Sequence, residues 1–107
     1  EIVRYLEAKI TAWQQRGDSI LLCGDGNETP SECNLKVGVR KFSMSWLFEA
    51  TGLQDVFRTV HSAPPQTTTT TSRRPIDWIG VWRVPILRVG QFEECFPALS
   101  DHLGFFV

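Results

Sequence analysis

Long apolar runs are missing from this sequence of 107 residues. A membrane-spanning helix needs ~20 consecutive apolar residues, and no run here approaches that length. Residues 1–7 also lack the basic start and apolar stretch of a secretory signal peptide. The sequence therefore predicts a globular domain with no membrane partner. Because the chain opens on Glu1 rather than Met, we expect it to be part of a longer protein.

An excess of charge of one sign is also missing. The formal net charge is −1, which gives no overall electrostatic reason to bind a polyanion. Basic residues do form local pairs at positions 40–41 and 73–74, with Arg83 and Arg88 further along. Such pairs are more often solvated surface than a track for phosphates. Any nucleic-acid partner therefore has to be inferred from motifs rather than from total charge.

Cysteine is scarce and irregularly spaced. The three cysteines are Cys23, Cys33 and Cys95, and they form neither a C-x-x-C pair nor a Cys/His pattern with zinc-ligand spacing. Cys23 lies in an apolar run and is predicted to be a small buried hydrophobe. This cysteine usage favours a reducing, intracellular compartment, with nucleus and cytoplasm both open.

Hydrophobic periodicity predicts helices in the first 60 residues. Apolar side chains recur at helical spacing through residues 1–16, and Gly17 is placed to end that helix. A second, shorter stripe over residues 44–48 precedes Gly52. Residues 53–58 are predicted to continue as a turn or a short helix.

Strands are predicted before and after these helices. Residues 19–23 form a continuous apolar run after a helix, which is typical of a buried strand in an α/β sheet. Residues 76–82 are predicted to form a central strand. Further strands are expected at residues 67–71, 84–89, 91–96 and 103–107. The order of helix, strand, helix and several strands predicts a layered α/β fold.

Polar residues stand at the ends of the predicted strands or interrupt them. Asp25 and Asn27 follow the first strand, where open α/β sheets hold their ligands. Asp77 interrupts the central strand, and Asp101 and His102 immediately precede the last one. Each of these groups is costly to bury without a partner. The pattern favours one shared polar site.

Taken singly, these residues have ordinary structural explanations. Asp25 and Gly26 form a common turn dipeptide, and Asn27 tolerates the left-handed conformation that turns require. Asp77 can instead pair with Arg74. His102 can be a satisfied histidine at the start of a strand.

Four segments, taken together and in order, resemble motifs of the endonuclease/exonuclease/phosphatase superfamily. They are similar to the family's G-D-x-N, GL-x-D-x-F-R, R-I-D-Y-I and S-D-H motifs, at residues 24–27, 52–58, 75–79 and 100–102. A Gly-Asp-x-Asn pattern arises by chance only about once in several thousand positions. The resemblance spans nearly the whole chain and implies that residues 1–107 form the C-terminal half of such a domain.

The resemblance implies both a fold and an activity. The fold is α/β: the C-terminal half of a four-layer α/β/β/α sandwich with a mixed, mainly antiparallel sheet, whose apolar face is exposed without the missing N-terminal half. The activity is that of a Mg²⁺-dependent phosphoesterase, with Mn²⁺ as a possible substitute. A phosphodiesterase or endonuclease acting on the DNA or RNA backbone by in-line attack of water is favoured, inactive as this isolated piece.

The resemblance also implies a role for each site residue. Asp25 orients and deprotonates the water, and Asn27 donates to that water or to a phosphate oxygen. His102 holds a phosphate oxygen, and Asp77 orients the His102 ring and raises its pKa. Asp101 faces the metal. Arg74 is the implied additional substrate contact.

The chain departs from the family pattern in three respects. The family's principal metal-binding glutamate belongs to earlier motifs and has no counterpart here. Gly26 replaces a residue that is usually bulky and apolar, which predicts lost packing under the site and a looser arrangement of Asp25 and Asn27. Pro75 replaces a basic residue, so Arg74 lies one position early. Two alternatives therefore stay open: a phosphomonoesterase for inositol or other small phosphates, and a non-catalytic remnant.

Overall fold

The computed structural model describes residues 2–27, 43–62, 69, 75–92, 100–103 and 105–107. These form a small mixed α/β domain with a three-stranded antiparallel sheet. Its elements, in chain order, are α1 (Ile2–Gln15), β1 (Ile20–Asp25), α2 (Met44–Thr51), β2 (Gln54–Asp55), α3 (Val56–His61), β3 (Asp77–Trp82), β4 (Gly90–Gln91) and β5 (Phe105–Phe106). Among the described helices, none combines the length and apolar character needed to span a bilayer.

Strand β3 lies at the centre of the larger sheet, as predicted. It pairs antiparallel with β1 on one side and β2 on the other. The β1–β3 register begins at Ile20↔Trp82 and ends at Asp25↔Asp77. The two aspartates therefore lie directly opposite each other at one end of the sheet. Strands β4 and β5 form a separate two-stranded antiparallel sheet.

One face of the three-stranded sheet is covered by α1 and α2. Its buried cluster consists of Ile10, Ile20, Leu47, Phe48, Leu53 and Trp78. The ends of α2 follow from local chemistry: Ser43 accepts a hydrogen bond from the N–H of Trp46, and Gly52 ends the helix at φ 71°. These are common N-terminal and C-terminal caps. Gly17, at φ 85°, follows α1 where the sequence predicts its end.

The opposite face of β3 is buried in a second cluster. Ile79 and Val81 pack there with Val56, Phe57 and Val89. Helix α3 is positioned by Asp55, whose carboxylate accepts from the N–H groups of Phe57 and Arg58. The short helix after residue 53 is thus confirmed.

Strand β1 is less buried than predicted. Only Ile20 is buried, while Leu21 is 59% exposed and Cys23 is also exposed. The prediction of a buried Cys23 is therefore wrong. In the described sheet β1 is an edge strand, so its outward side chains lie beyond the cluster that covers Ile79 and Val81.

The later strands are shorter than the sequence predicts. Residues 84–89 form no strand, and that prediction is wrong. Pro85 lies in this run and cannot donate a backbone hydrogen bond to a sheet. The next strand begins at Gly90 and ends at Gln91, and residues 93–96 lie outside the described residues. The last strand is confirmed at Phe105–Phe106.

Candidate functional site

Two carboxylates meet at the end of the β1–β3 pair. Asp25 and Asp77 are register partners, and directly opposite residues of an antiparallel pair project from the same face of the sheet. The Asp25 side chain is 46% exposed and that of Asp77 is 13% exposed. The pair therefore combines one carboxylate open to solvent with one that is mostly buried.

His102 completes this pair through a direct hydrogen bond. Its Nδ1 lies 2.8 Å from Asp77 Oδ2, and because a carboxylate accepts, Nδ1 carries the donated hydrogen. The backbone around the ring is also fixed: His102 N–H donates to Ser100 Oγ at 3.0 Å, and His102 forms a β-bridge with the buried Thr69. The imidazole orientation is therefore set by both side-chain and backbone contacts.

The other ring nitrogen of His102 faces two more carboxylates. Nε2 lies 3.8 Å from Asp25 Oδ2 and 3.9 Å from Asp101 Oδ1. Both distances exceed the hydrogen-bond range. Within the described part of the chain, Nε2 therefore attracts these groups without bonding to either of them directly.

This environment raises the pKa of His102 above its usual value. The hydrogen bond that Nδ1 donates to Asp77 is the largest cause. Partial burial acts in the opposite direction, and the negative charges of Asp77, Asp25 and Asp101 raise the pKa further. The cluster therefore favours the imidazolium form. A cation with a fixed orientation can bind an anionic oxygen at Nε2.

The loop after β1 holds Asp25 in place. Asn27 N–H donates to Asp25 Oδ1 at 2.8 Å, while Gly26 N–H donates to the carbonyl of Ile76 at 2.9 Å. Asn27 adopts the left-handed conformation with φ 52°. The turn predicted as the structural role of Asp25, Gly26 and Asn27 is thus present. It leaves Oδ2 of Asp25 facing His102. The turn and the polar cluster coexist.

The expected loss of packing at Gly26 is wrong. A Cβ atom at this position would lie 2.7 Å from Trp78 Cδ1 and 2.8 Å from Met44 Cγ. The indole and the methionine side chain already fill the space that a larger residue would need. Sequence reasoning missed this contact because Gly26 and Trp78 belong to different motifs.

The structure brings together most of the predicted site residues. Asp25, Asp77, Asp101 and His102 converge, and Asn27 follows Asp25 in the same loop. Their catalytic roles stay predictions.

Arg74 and its alternative pairing with Asp77 lie outside the described residues. Thr69 was predicted only as part of a strand, and nothing in a run of five threonines singles it out as the partner of His102. His61, predicted to be a surface residue, is exposed, and its Nε2 lies 3.0 Å from the carbonyl oxygen of Val89.

The cluster has a donor set that can hold a metal ion. One ligand atom from each of Asp25, Asp77 and His102 can be chosen so that all lie within 4.8 Å of one another. Carboxylate oxygens suit Mg²⁺, and an imidazole nitrogen suits Mn²⁺ or a later transition metal better. His102 can act as a ligand only when Nε2 has lost its proton, since Nδ1 donates to Asp77. Asp101 adds a carboxylate on the Nε2 side of His102.

In comparisons with known proteins, no family model, curated protein or solved structure matches this chain. Function therefore has to be inferred from the motifs and the geometry of this cluster.

Proposed function

We propose that this cluster is the acid–base and phosphate-holding side of a metal-dependent phosphoesterase centre, acting on the phosphodiester backbone of nucleic acid. The observation that carries the proposal is the His102–Asp77 hydrogen bond facing Asp25 across the ends of β1 and β3. Phosphoryl transfer requires a group that orients the attacking water and a positive charge beside the phosphate oxygens. The cluster offers both within one small space.

Asp25 is the group that orients and deprotonates water. Its carboxylate is 46% exposed, so solvent reaches it. One oxygen accepts from Asn27 N–H, which leaves the second oxygen to accept from a water. A carboxylate at hydrogen-bond distance from that water acts as a general base. The Asn27 amide, next in the loop, donates to the water or to a phosphate oxygen without adding negative charge.

His102 is the group that holds the phosphate. Asp77 fixes the ring through Nδ1 and raises its pKa, so Nε2–H is available as a charged donor. A pre-oriented donor stabilises the charge that develops on a non-bridging oxygen. Asp77 acts through His102 and is therefore a positioning residue.

Mg²⁺ is the proposed cofactor, with Asp101 as its ligand and Mn²⁺ as a substitute. When bound, the ion neutralises negative charge on the phosphate and on the surrounding carboxylates. The family resemblance implies one further ligand, a glutamate from another segment. We therefore propose that this chain holds part of the centre and depends on an N-terminal half of the domain for the rest.

We also propose that the sheet is one half of a four-layer sandwich. Several apolar side chains are exposed around a groove of about 660 Å³: Leu21, Leu87, Phe92 and Val107. Large apolar patches of this kind usually mark an interface. Leu21 belongs to the same face of β1 as Asp25, so a second sheet packed here would also close one side of the site.

The decisive experiment compares the two histidines in the longest protein that contains this chain. The assay follows nicking of plasmid DNA in Mg²⁺ and in Mn²⁺, with RNA and inositol phosphates as parallel substrates. His102→Ala should lower the rate by about 100-fold or more, the usual range for a donor that stabilises charge developing in the transition state. His61→Ala removes an exposed imidazole outside the cluster and should leave the rate unchanged.

Three results would contradict the proposal. The first is a wild-type protein that nicks no DNA with either metal, which would favour the non-catalytic alternative. The second is a His102→Ala variant that is as active as His61→Ala. The third is hydrolysis of inositol phosphates without cleavage of DNA or RNA, which would keep the centre but change its substrate class.

A further inference from the structure

Gly26 is in contact with both neighbours of Asp77 in the chain. Its N–H donates to the carbonyl of Ile76 at 2.9 Å. Its α-carbon is so close to Trp78 that an added Cβ would lie 2.7 Å from Cδ1 and 2.9 Å from Nε1 of the indole. The loop that carries Asp25 is thus held against β3 immediately before and immediately after Asp77.

Trp78 cannot easily move away from this contact. It is only 6% exposed, and its ring packs edge-on against Phe48 with centroids 5.5 Å apart. Its backbone is held in β3, paired with Gly24 of β1. Closely packed interiors do not absorb an extra atom without a shift elsewhere. The more yielding partner is the exposed loop at residues 25–27.

We propose that the contact between Gly26 and Trp78 sets the distance between Asp25 and the Asp77–His102 pair, which makes Trp78 a positioning residue of the site. Trp78 stands on the helix-covered face of β3, and Asp77 stands on the other face. This role rests on the proposed function for its chemical purpose, although the geometry can be tested without any reaction.

The test adds one methyl group at Gly26 and then makes room for it. Gly26→Ala should push the loop away from β3, while the double variant Gly26→Ala/Trp78→Val removes every indole atom that the methyl group meets. Met44, whose Cγ lies 2.8 Å from the same methyl position, is unbranched and can rotate away. Gly80→Ala is the matched control: its added Cβ would lie 2.7 Å from Phe48 Cζ, so it disturbs the same buried cluster away from the loop. Thermal unfolding is recorded for every variant.

Two measurements report on Asp25, the first on its conformation within the loop and the second on its place beside Asp77 and His102. The first is the proton chemical shift of the Asn27 amide, which donates to Asp25, with Asp25→Ala giving the value for a missing acceptor. The second is Mn²⁺ affinity, measured from the electron paramagnetic resonance signal of the free ion. We expect Gly26→Ala to move the amide shift towards that of Asp25→Ala. It should also weaken Mn²⁺ binding by about tenfold, because Asp25 belongs to the cluster, with Asp77 and His102, that can hold an ion beside Asp101.

The rescue decides between positioning and general destabilisation. The double variant should recover most of the amide shift and most of the Mn²⁺ affinity, while Gly80→Ala should lower the midpoint of thermal unfolding and leave both unchanged. The proposal is overturned if Gly26→Ala leaves the Asn27 amide where it is in the wild type, if the double variant recovers nothing, or if Gly80→Ala has the same effect. A wild type without hydrolytic activity would contradict the proposed function alone, because neither the amide shift nor Mn²⁺ binding depends on hydrolysis.

Discussion

The two faces of the three-stranded sheet differ in what they do. On the helix-covered face, Ile20, Leu47 and Trp78 are all at most 6% exposed. On the opposite face, burial stops part-way: Ile79 and Val81 are covered, Leu21 is 59% exposed, and the end of the sheet carries Asp25 and Asp77. The first face is buried under the helices along its length, whereas the second is buried in part and carries the polar cluster at its end.

Strand β3 belongs to both faces, which shows how they are coupled. Its alternate residues point to opposite sides, so Trp78 and Gly80 face the helices while Asp77, Ile79 and Val81 face the other way. A register slip of one residue would exchange the two sets. The apolar contacts of Trp78 therefore fix the strand position on which the Asp77–His102 pair depends.

The largest expected effect contrasts a leucine from each face. Leu47→Ala removes a side chain with no exposed surface from the helix-covered core, and we expect a loss of about 2–5 kcal/mol in the free energy of unfolding. Leu21→Ala, on the exposed face, should cost less than about 0.5 kcal/mol. Urea unfolding of both variants measures the difference. Similar losses would mean that Leu21 is covered in solution.

A smaller effect is expected from Asp77→Asn on the second face. Asp77 is the largest cause of the raised pKa of His102, so the substitution should lower that pKa towards its ordinary value. The measurement is an NMR titration of the His102 ring without divalent metal, with the signals of His61 reporting any loss of the fold. An unchanged His102 titration would show that the hydrogen bond at 2.8 Å is absent in solution.

The same variant should change how stability depends on pH. A histidine whose pKa is raised by folding binds its proton more tightly in the native state, so its contribution is fully present below the pKa of the unfolded chain. That contribution is lost as the pH rises through the higher, folded pKa. Asp77→Asn should therefore destabilise the protein more at about pH 6 than at about pH 9. In a His102→Ala background this difference should disappear.

Parts of the fold could be predicted from local patterns in the sequence, whereas the contacts of the site could be predicted only from the family motifs. The run of apolar residues around Trp78 and Ile79 predicted β3 and its central place correctly. The Asp77–His102 contact joins residues 25 positions apart, and only the family resemblance pointed to it. Local patterns carry no information about such pairs unless a motif supplies it.

The wrong predictions concern burial and packing, which depend on contacts between distant parts of the chain. A continuous apolar run predicts a buried strand, but Leu21 and Cys23 lie on an edge strand whose outer side chains are exposed. Gly26 was expected to loosen the site because it replaces a larger residue. Its neighbour Trp78 comes from a segment 52 positions away, so the sequence did not reveal that the space is already filled. Burial at an edge and packing across strands both depend on what lies opposite, and sequence periodicity does not report that.

The smallest effect on stability should come from the exposed apolar groove. Leu87 is 90% exposed and Phe92 is 56% exposed, so replacing both with serine should change the free energy of unfolding by less than about 0.5 kcal/mol per site. If this groove is the surface that a second sheet covers, the double variant should reduce self-association, measured by sedimentation velocity over a range of protein concentrations. Ile2→Ser is the control, because Ile2 is 71% exposed on α1, outside the groove. Equal effects of the two would mean that association is non-specific, and the two faces would then differ in burial but not in their capacity to bind a partner.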